Sequence, residues 1–240
     1  MALTHIEKLI AKAILDYGLI REGDRILLGA SGGKDSTVLA WALARRGIWK
    51  NPPFELAALR IAGDVPGGGM PREDEKALED LFDEWKIPLD TVRVQIMGSV
   101  KPGRSMSCYW CSTIRRSELI DYAIKNNFNK IALGHHLDDI LTTLLMNMTK
   151  KGEIATMVPN MEYEKYPLTI IRPLALVPEA SIISFIGSMG WRAGTCSCGY
   201  GADGERKRYQ RKLDELTDSN EETKRLLFKS MSNIRREYLM

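Results

Sequence analysis

A short apolar run, Arg25-Ile26-Leu27-Leu28-Gly29, leads straight into Ser31-Gly32-Gly33-Lys34-Asp35-Ser36, and helical character follows over residues 37–46. This order of strand, glycine loop and helix restricts the fold more than any other feature. Paired glycines let the backbone adopt unusual dihedrals and approach a ligand closely. The unbonded amides at the start of the next helix favour an anion. Lys34 adds a mobile cation, and Ser31 and Ser36 add hydroxyls. The loop is not a Walker A motif, which needs four residues between its glycines and Ser or Thr after the lysine. Here three residues separate Gly29 from Gly33, and Asp35 follows the lysine. A bare glycine turn is the plain alternative, and six specific residues argue against it.

The same alternation continues along the chain. Residues 4–18 predict an amphipathic helix, with Thr4 as cap, Glu7 at the capping-box position and Gly18 as terminator. Strands are predicted over 54–61, 91–96, 130–133 and 169–171, and helices over 73–85, 112–125, 136–148 and 179–189. A Gly/Pro/Ser-rich loop, 98–107, precedes Cys108. Alternating strands and helices imply right-handed βαβ units, hence a Rossmann-like, doubly wound parallel sheet. The chain divides into an N-terminal helix and lead-in (1–24), an α/β core (25–195), and a cysteine loop with basic C-terminal helices (196–240).

A second motif, Gly134-His135-His136-Leu137-Asp138-Asp139, follows a strand and opens a helix. That is the carboxyl edge, where doubly wound sheets bind ligands. Asp138 and Asp139 also suit a helix N-terminus for its dipole alone, and the His and Asp pairs together suit a divalent ion. Four cysteines fall in two groups, Cys108 and Cys111 and then Cys196 and Cys198. The two-residue gap between Cys108 and Cys111 lets both sulfurs reach one metal. On spacing alone, a four-cysteine zinc site and an iron–sulfur cluster are equally compatible.

Composition narrows the setting. The chain has 240 residues, 44% hydrophobic and 27% charged, which suits a sizeable core and a wetted surface. No apolar run reaches the ~18 residues of a membrane span. Glu7 and Lys8 interrupt the N-terminal apolar stretch, unlike a signal peptide. A cytoplasmic location is expected, where reduced thiols serve metals or catalysis sooner than disulfides. The net charge of +3 is matched by residues 205–240, with ten Lys or Arg against seven Asp or Glu. Its densest part, Arg206-Lys207-Arg208-Tyr209-Gln210-Arg211-Lys212, suits a phosphate backbone, although a solvated helix face is the plainer reading.

SGGKDS resembles the loop of the PP-loop ATP pyrophosphatase superfamily. Together with CYWCSTIRR, GHHLDDILTTLLMNM, IIRPLA and a late cysteine loop, the chain is similar to the TtcA/TtuA group of tRNA-thiolating enzymes from about Glu22 to Cys198. The resemblance implies an ATP-dependent sulfurtransferase that adenylates a tRNA base carbonyl and replaces its oxygen with sulfur. Alternatives are thiolation of a small molecule and a zinc-containing, ATP-dependent tRNA-modifying ligase.

The resemblance further implies ATP and Mg2+ at the loop, with Ala30, Ser31, Gly32, Gly33, Lys34, Asp35, Ser36, Ile61 and Gly134 around the nucleotide. Lys34, Asp35, Arg115, Asp138 and Asp139 are the implied catalytic set. A [4Fe-4S] cluster on three cysteines, with one iron open, is implied for Cys108, Cys111 and Cys196. Cys198 is the alternative third ligand, because the late loop here has one residue between its cysteines where the group has two. Implied partners are tRNA, a sulfur donor (a cysteine desulfurase or free sulfide) and a second copy in a homodimer, with no membrane. Thr149-Lys150-Lys151 replaces an aromatic-glycine segment of the group, which leaves the modified tRNA position open.

Overall fold

The computed structural model of the protein describes residues 4–45, 52–100, 103, 105–191, 194, 198, 200 and 204–238. Helix α1 (His5–Asp16) begins with the expected capping box, Thr4 accepting from the Glu7 amide while the Glu7 carboxylate accepts from Thr4 N at 2.7 Å. Gly18, at φ +58°, turns the chain out of it. Then follow β1 (Arg25–Gly29), α2 (Lys34–Ala44), β2 (Glu55–Gly63), α3 (Arg72–Glu84), β3 (Leu89–Val94), α4 (Cys108–Lys125) and β4 (Lys130–Ala132). The second half runs α5 (Leu137–Lys151), β5 (Asn160–Glu162), β6 (Thr169–Ile171), α6 (Glu179–Met189), α7 (Glu205–Thr217) and α8 (Glu221–Ser230).

The six strands lie in the order β3-β2-β1-β4-β6-β5. All neighbours are parallel except β5, which runs antiparallel to β6. The doubly wound sheet expected from the sequence is therefore present with an antiparallel edge strand that the pattern did not reveal. Ile26, Leu27 and Leu28 are fully buried because helices cover both faces, as a parallel sheet requires. One face packs Ile26 and Leu28 with α1, α2 and α6; the other packs Leu27, Leu59 and Ile131 against Leu119 of α4. A further cluster, Leu137, Leu141 and Leu213, docks α7 on α5.

Two helix starts differ from the sequence reading by three residues or more. Helix α2 begins at Lys34 rather than residue 37, so Lys34 and Asp35 lie in its first turn. Helix α4 begins at Cys108 rather than 112, since the Ser107 hydroxyl accepts from Trp110 N and caps the helix there. Cys108 and Cys111 thus stand three apart on one helix face, not in a loop.

Strand order reverses between β1 and β4, and the segments after these strands carry both glycine motifs. The fold therefore brings them together at its switch point. A Cβ on Gly134 would stand 3.0 Å from Ser36 N. The glycine lets the two segments touch.

Candidate active site

In the loop after β1, Gly32 takes φ +78°, and a Cβ there would fall 2.0 Å from Met70 Cε. Only glycine fits. Gly33 caps α2 in extended conformation. Ser31 Oγ lies 3.0 Å from Ser36 Oγ, and it accepts from Gly33 N at 3.2 Å. Ser36 and Thr37 hydroxyls both donate to Gly33 O, which holds the loop in shape. Ala30 is 2% exposed and part of the core, so only its backbone faces the loop. Gly194 N donates to Gly32 O at 3.1 Å, tying the segment after α6 to this loop.

Lys34 Nζ lies 3.2 Å from Asp35 Oδ1 and 2.9 Å from Glu179 Oε1. Burial alone would lower the lysine pKa, but Glu179 and Asp35 together hold it above its ordinary value. Asp35 is pushed up by burial, with His136 and Lys34 opposing. Its Oδ1 is buried and makes no hydrogen bond among the described residues.

His136 Nε2 stands 3.8 Å from that oxygen and 3.5 Å from Asp139 Oδ2. The phosphate loop and the second motif therefore meet around one imidazole. Burial would raise the Asp139 carboxyl, but His136 and Arg206, the latter at 2.6 Å, lower it overall. His135 is pushed down to about 4, chiefly by burial, and stays neutral.

Asp138 Oδ2 lies 3.8 Å from the other ring nitrogen, His136 Nδ1, but Asp138 makes its hydrogen bonds elsewhere. It is 1% exposed; one oxygen accepts from Glu179 N at 2.8 Å and the other from Lys224 Nζ at 2.7 Å. Lys224 also reaches Asp214 at 2.8 Å. The two neighbouring acids thus face different surroundings, because successive helix positions lie about 100° apart.

A separate cavity of about 140 Å³ is lined by Cys108, Cys111, Arg115 and Cys198, with Val65 and Tyr200 among its walls. Arg115 thus lies with the thiols, and its Nε is buried without a hydrogen-bond partner among the described residues. A Cβ on Gly63 would fall 2.3 Å from Ile96 Cδ1, so the glycine lets Ile96 pack beside the end of β2. Cys196 falls outside the described residues. Among the described residues no three His, Cys, Asp or Glu side chains already stand in a metal-binding group. Ile61 packs on the cluster of Leu27 and Leu59.

A PP-loop domain family model matches residues 2–193. The chain belongs to the PP-loop family. It is 35% identical to a tRNA-cytidine(32) 2-sulfurtransferase of Geotalea uraniireducens, over 99% of this chain and 94% of that protein. A tRNA-cytidine(32) 2-sulfurtransferase of Geobacter sulfurreducens is 36% identical over 98% of this chain and 91% of its own. The U34-tRNA thiolase NcsA from Methanococcus maripaludis, solved with its [4Fe-4S] cluster, superposes with TM-score 0.73 at 21% identity, covering 96% of this chain and 80% of that one. An NH3-dependent NAD synthetase from Campylobacter jejuni, solved with a nitrate ion, shares the fold at TM-score 0.53 and 14% identity, covering 97% and 95%. In this PP-loop protein, Glu179, Lys224 and Met70 are site neighbours without any local sequence signal. Each reaches the site from an element distant in the chain.

Proposed function

We propose that this PP-loop protein is an ATP-dependent tRNA sulfurtransferase that converts a tRNA cytidine to 2-thiocytidine. The observation that supports it most is a phosphate loop with a buried acid oxygen that lacks a hydrogen bond among the described residues, on the same molecule as a cavity lined by three cysteines. Neither feature alone requires thiolation; adenylation and sulfur transfer together use both.

The base carbonyl oxygen attacks the α-phosphorus of ATP, the bond to the β-phosphate bridging oxygen breaks, and pyrophosphate leaves. Amides of the α2 N-terminus and the Lys34 ammonium hold the leaving charge. Asp35 and Asp139 are the carboxylates that would hold Mg2+, an ion that takes one or two acids plus phosphate oxygens. The oxygen without a hydrogen bond on Asp35 fits that role. A sulfur nucleophile then bonds to the activated carbon, and the carbon–oxygen bond breaks to release AMP.

Cys108, Cys111 and a third thiolate would hold a [4Fe-4S] cluster. Thiol donors from two separate segments suit it, and three thiolates would leave one iron to bind hydrosulfide. Cys198, which lines the cavity, is taken as the third ligand in this reading, in place of the Cys196 that the resemblance implies; Cys196, outside the described residues, is the other candidate. Arg115 places a cation beside the incoming sulfur and the nucleotide. Sulfur comes from a cysteine desulfurase or free sulfide, and the enzyme works as a cytoplasmic homodimer. Among the described residues no helix is long and apolar enough to cross a membrane.

Single Cys→Ala variants prepared without oxygen test the assignment. Cys108→Ala, Cys111→Ala and Cys198→Ala are each expected to lose iron and tRNA thiolation, while Cys196→Ala keeps both. Loss in Cys196→Ala with retention in Cys198→Ala moves the third ligand by two residues. Active protein containing tetrahedral zinc on four sulfurs refutes the open-iron scheme.

A further inference from the structure

The loop lysine is held by more than its own helix. Glu179 opens α6, on the far side of the sheet's switch point from the phosphate loop, yet its carboxylate reaches Lys34 Nζ at 2.9 Å. Its position is itself fixed. Pro178 caps α6, and the Glu179 amide donates to Asp138, which Lys224 of α8 clamps from the other side. A chain of polar contacts thus runs from α8 through Asp138 to the start of α6 and on to the phosphate loop.

We propose that Glu179 is a positioning residue for the nucleotide, fixing the Lys34 ammonium over the loop by sharing it with Asp35. An ammonium has three donors on a flexible four-carbon stem. In this structure one is taken by Glu179 and one by Asp35, so the third remains for a phosphate oxygen. Without Glu179 the nearest anion to Lys34 is Asp35, its neighbour in sequence. Lys34 would then pair with Asp35 alone, tightening the contact now at 3.2 Å, and Asp35 would lose its capacity for a cation. Both side chains are about 30% exposed, so the pair is wetted and serves geometry more than stability.

This inference rests on ATP occupying the loop, as proposed above. Glu179→Gln keeps the backbone bond to Asp138 while removing the charge. In full-length protein, ATP–Mg2+ affinity by calorimetry is expected to fall about fivefold, the size of a half-exposed ion pair's contribution. KM for ATP should rise in step while kcat at saturating ATP changes less than about twofold, and the melting temperature should hold. In nucleotide-free protein, acylation of Lys34 by an amine-reactive ester, read by peptide mass spectrometry, should be faster in the variant. ATP affinity that is unchanged or higher in Glu179→Gln overturns the proposal, since Glu179 would then merely compete with phosphate for Lys34. Wild-type protein that binds no ATP overturns the functional reading as well. Unchanged acylation with normal ATP binding by the wild type overturns the positioning role alone.

Discussion

Lys224→Met tests whether the C-terminal helices are fastened to the nucleotide core by one buried cation. Lys224 is 7% exposed and bridges Asp138, itself 1% exposed, and Asp214. Burial would depress its pKa, but the hydrogen bonds it donates to these two acids hold it above the ordinary value. Methionine preserves the apolar stem and removes the charge, leaving Asp138 buried with the Glu179 amide, His136 Nδ1 at 3.8 Å and the dipole of α5. Breaking a buried pair from one side costs about 3–5 kcal/mol. The remaining amide bond and the helix N-terminus soften the loss, which places it near the lower end, about 3 kcal/mol. For a chain of this length about 1 kcal/mol shifts the melting temperature by about 2–4 °C, so a fall of about 6–12 °C is expected by circular dichroism. Adding Asp138→Asn removes the stranded charge. The double variant should therefore lose clearly less than the two single losses added together. A shift below about 2 °C, or strictly additive losses, would refute the reasoning, because it would mean that α8 docks without this pair.

Replacing Lys207, Arg208 and Arg211, all exposed on α7, should weaken tRNA binding and flatten its salt dependence, each lost phosphate contact removing about 0.7–0.9 from the log–log slope; an unchanged slope returns α7 to a solvated helix. For Asp24, burial acts upward, but Lys130 at 2.7 Å, Arg21 N and Asn129 lower its pKa overall. A lowered carboxylate stabilises the fold above its unfolded pKa, and that contribution is lost as pH falls through the folded value. Asp24→Asn should accordingly be less stable at neutral pH yet lose less further stability between about pH 5 and pH 3 in urea titrations; an equal acid loss in both proteins contradicts this.

Local chemistry was enough to read much of this protein from its sequence. The run Arg25–Gly29, the paired glycines and the helix behind them specify a strand, an anion-binding turn and a helix start, because backbone freedom and apolar period are properties of neighbouring residues. The Thr4–Glu7 capping box and the doubly wound order are legible for the same reason. Other features depended on contacts across the chain. The antiparallel strand Asn160–Glu162 is three residues long, too short for a periodic signal, and it exists because the edge of β6 accepts it. The start of α4 at Cys108 followed from one serine cap, which puts both thiols on a helix that the sequence pattern starts only at residue 112. Asp138 and Asp139 look equivalent in sequence. Packing of α6 and α8 on one side and the phosphate loop on the other separates them, so that one is a buried anchor while the other faces His136 and Arg206. Glu179, more than 140 residues from Lys34, became its partner only because the sheet's switch point brings the start of α6 beside the start of α2. Residue type determined which groups could do chemistry here; tertiary packing decided which of them share a charge, since Coulomb energy falls with distance in space and takes no account of separation along the chain.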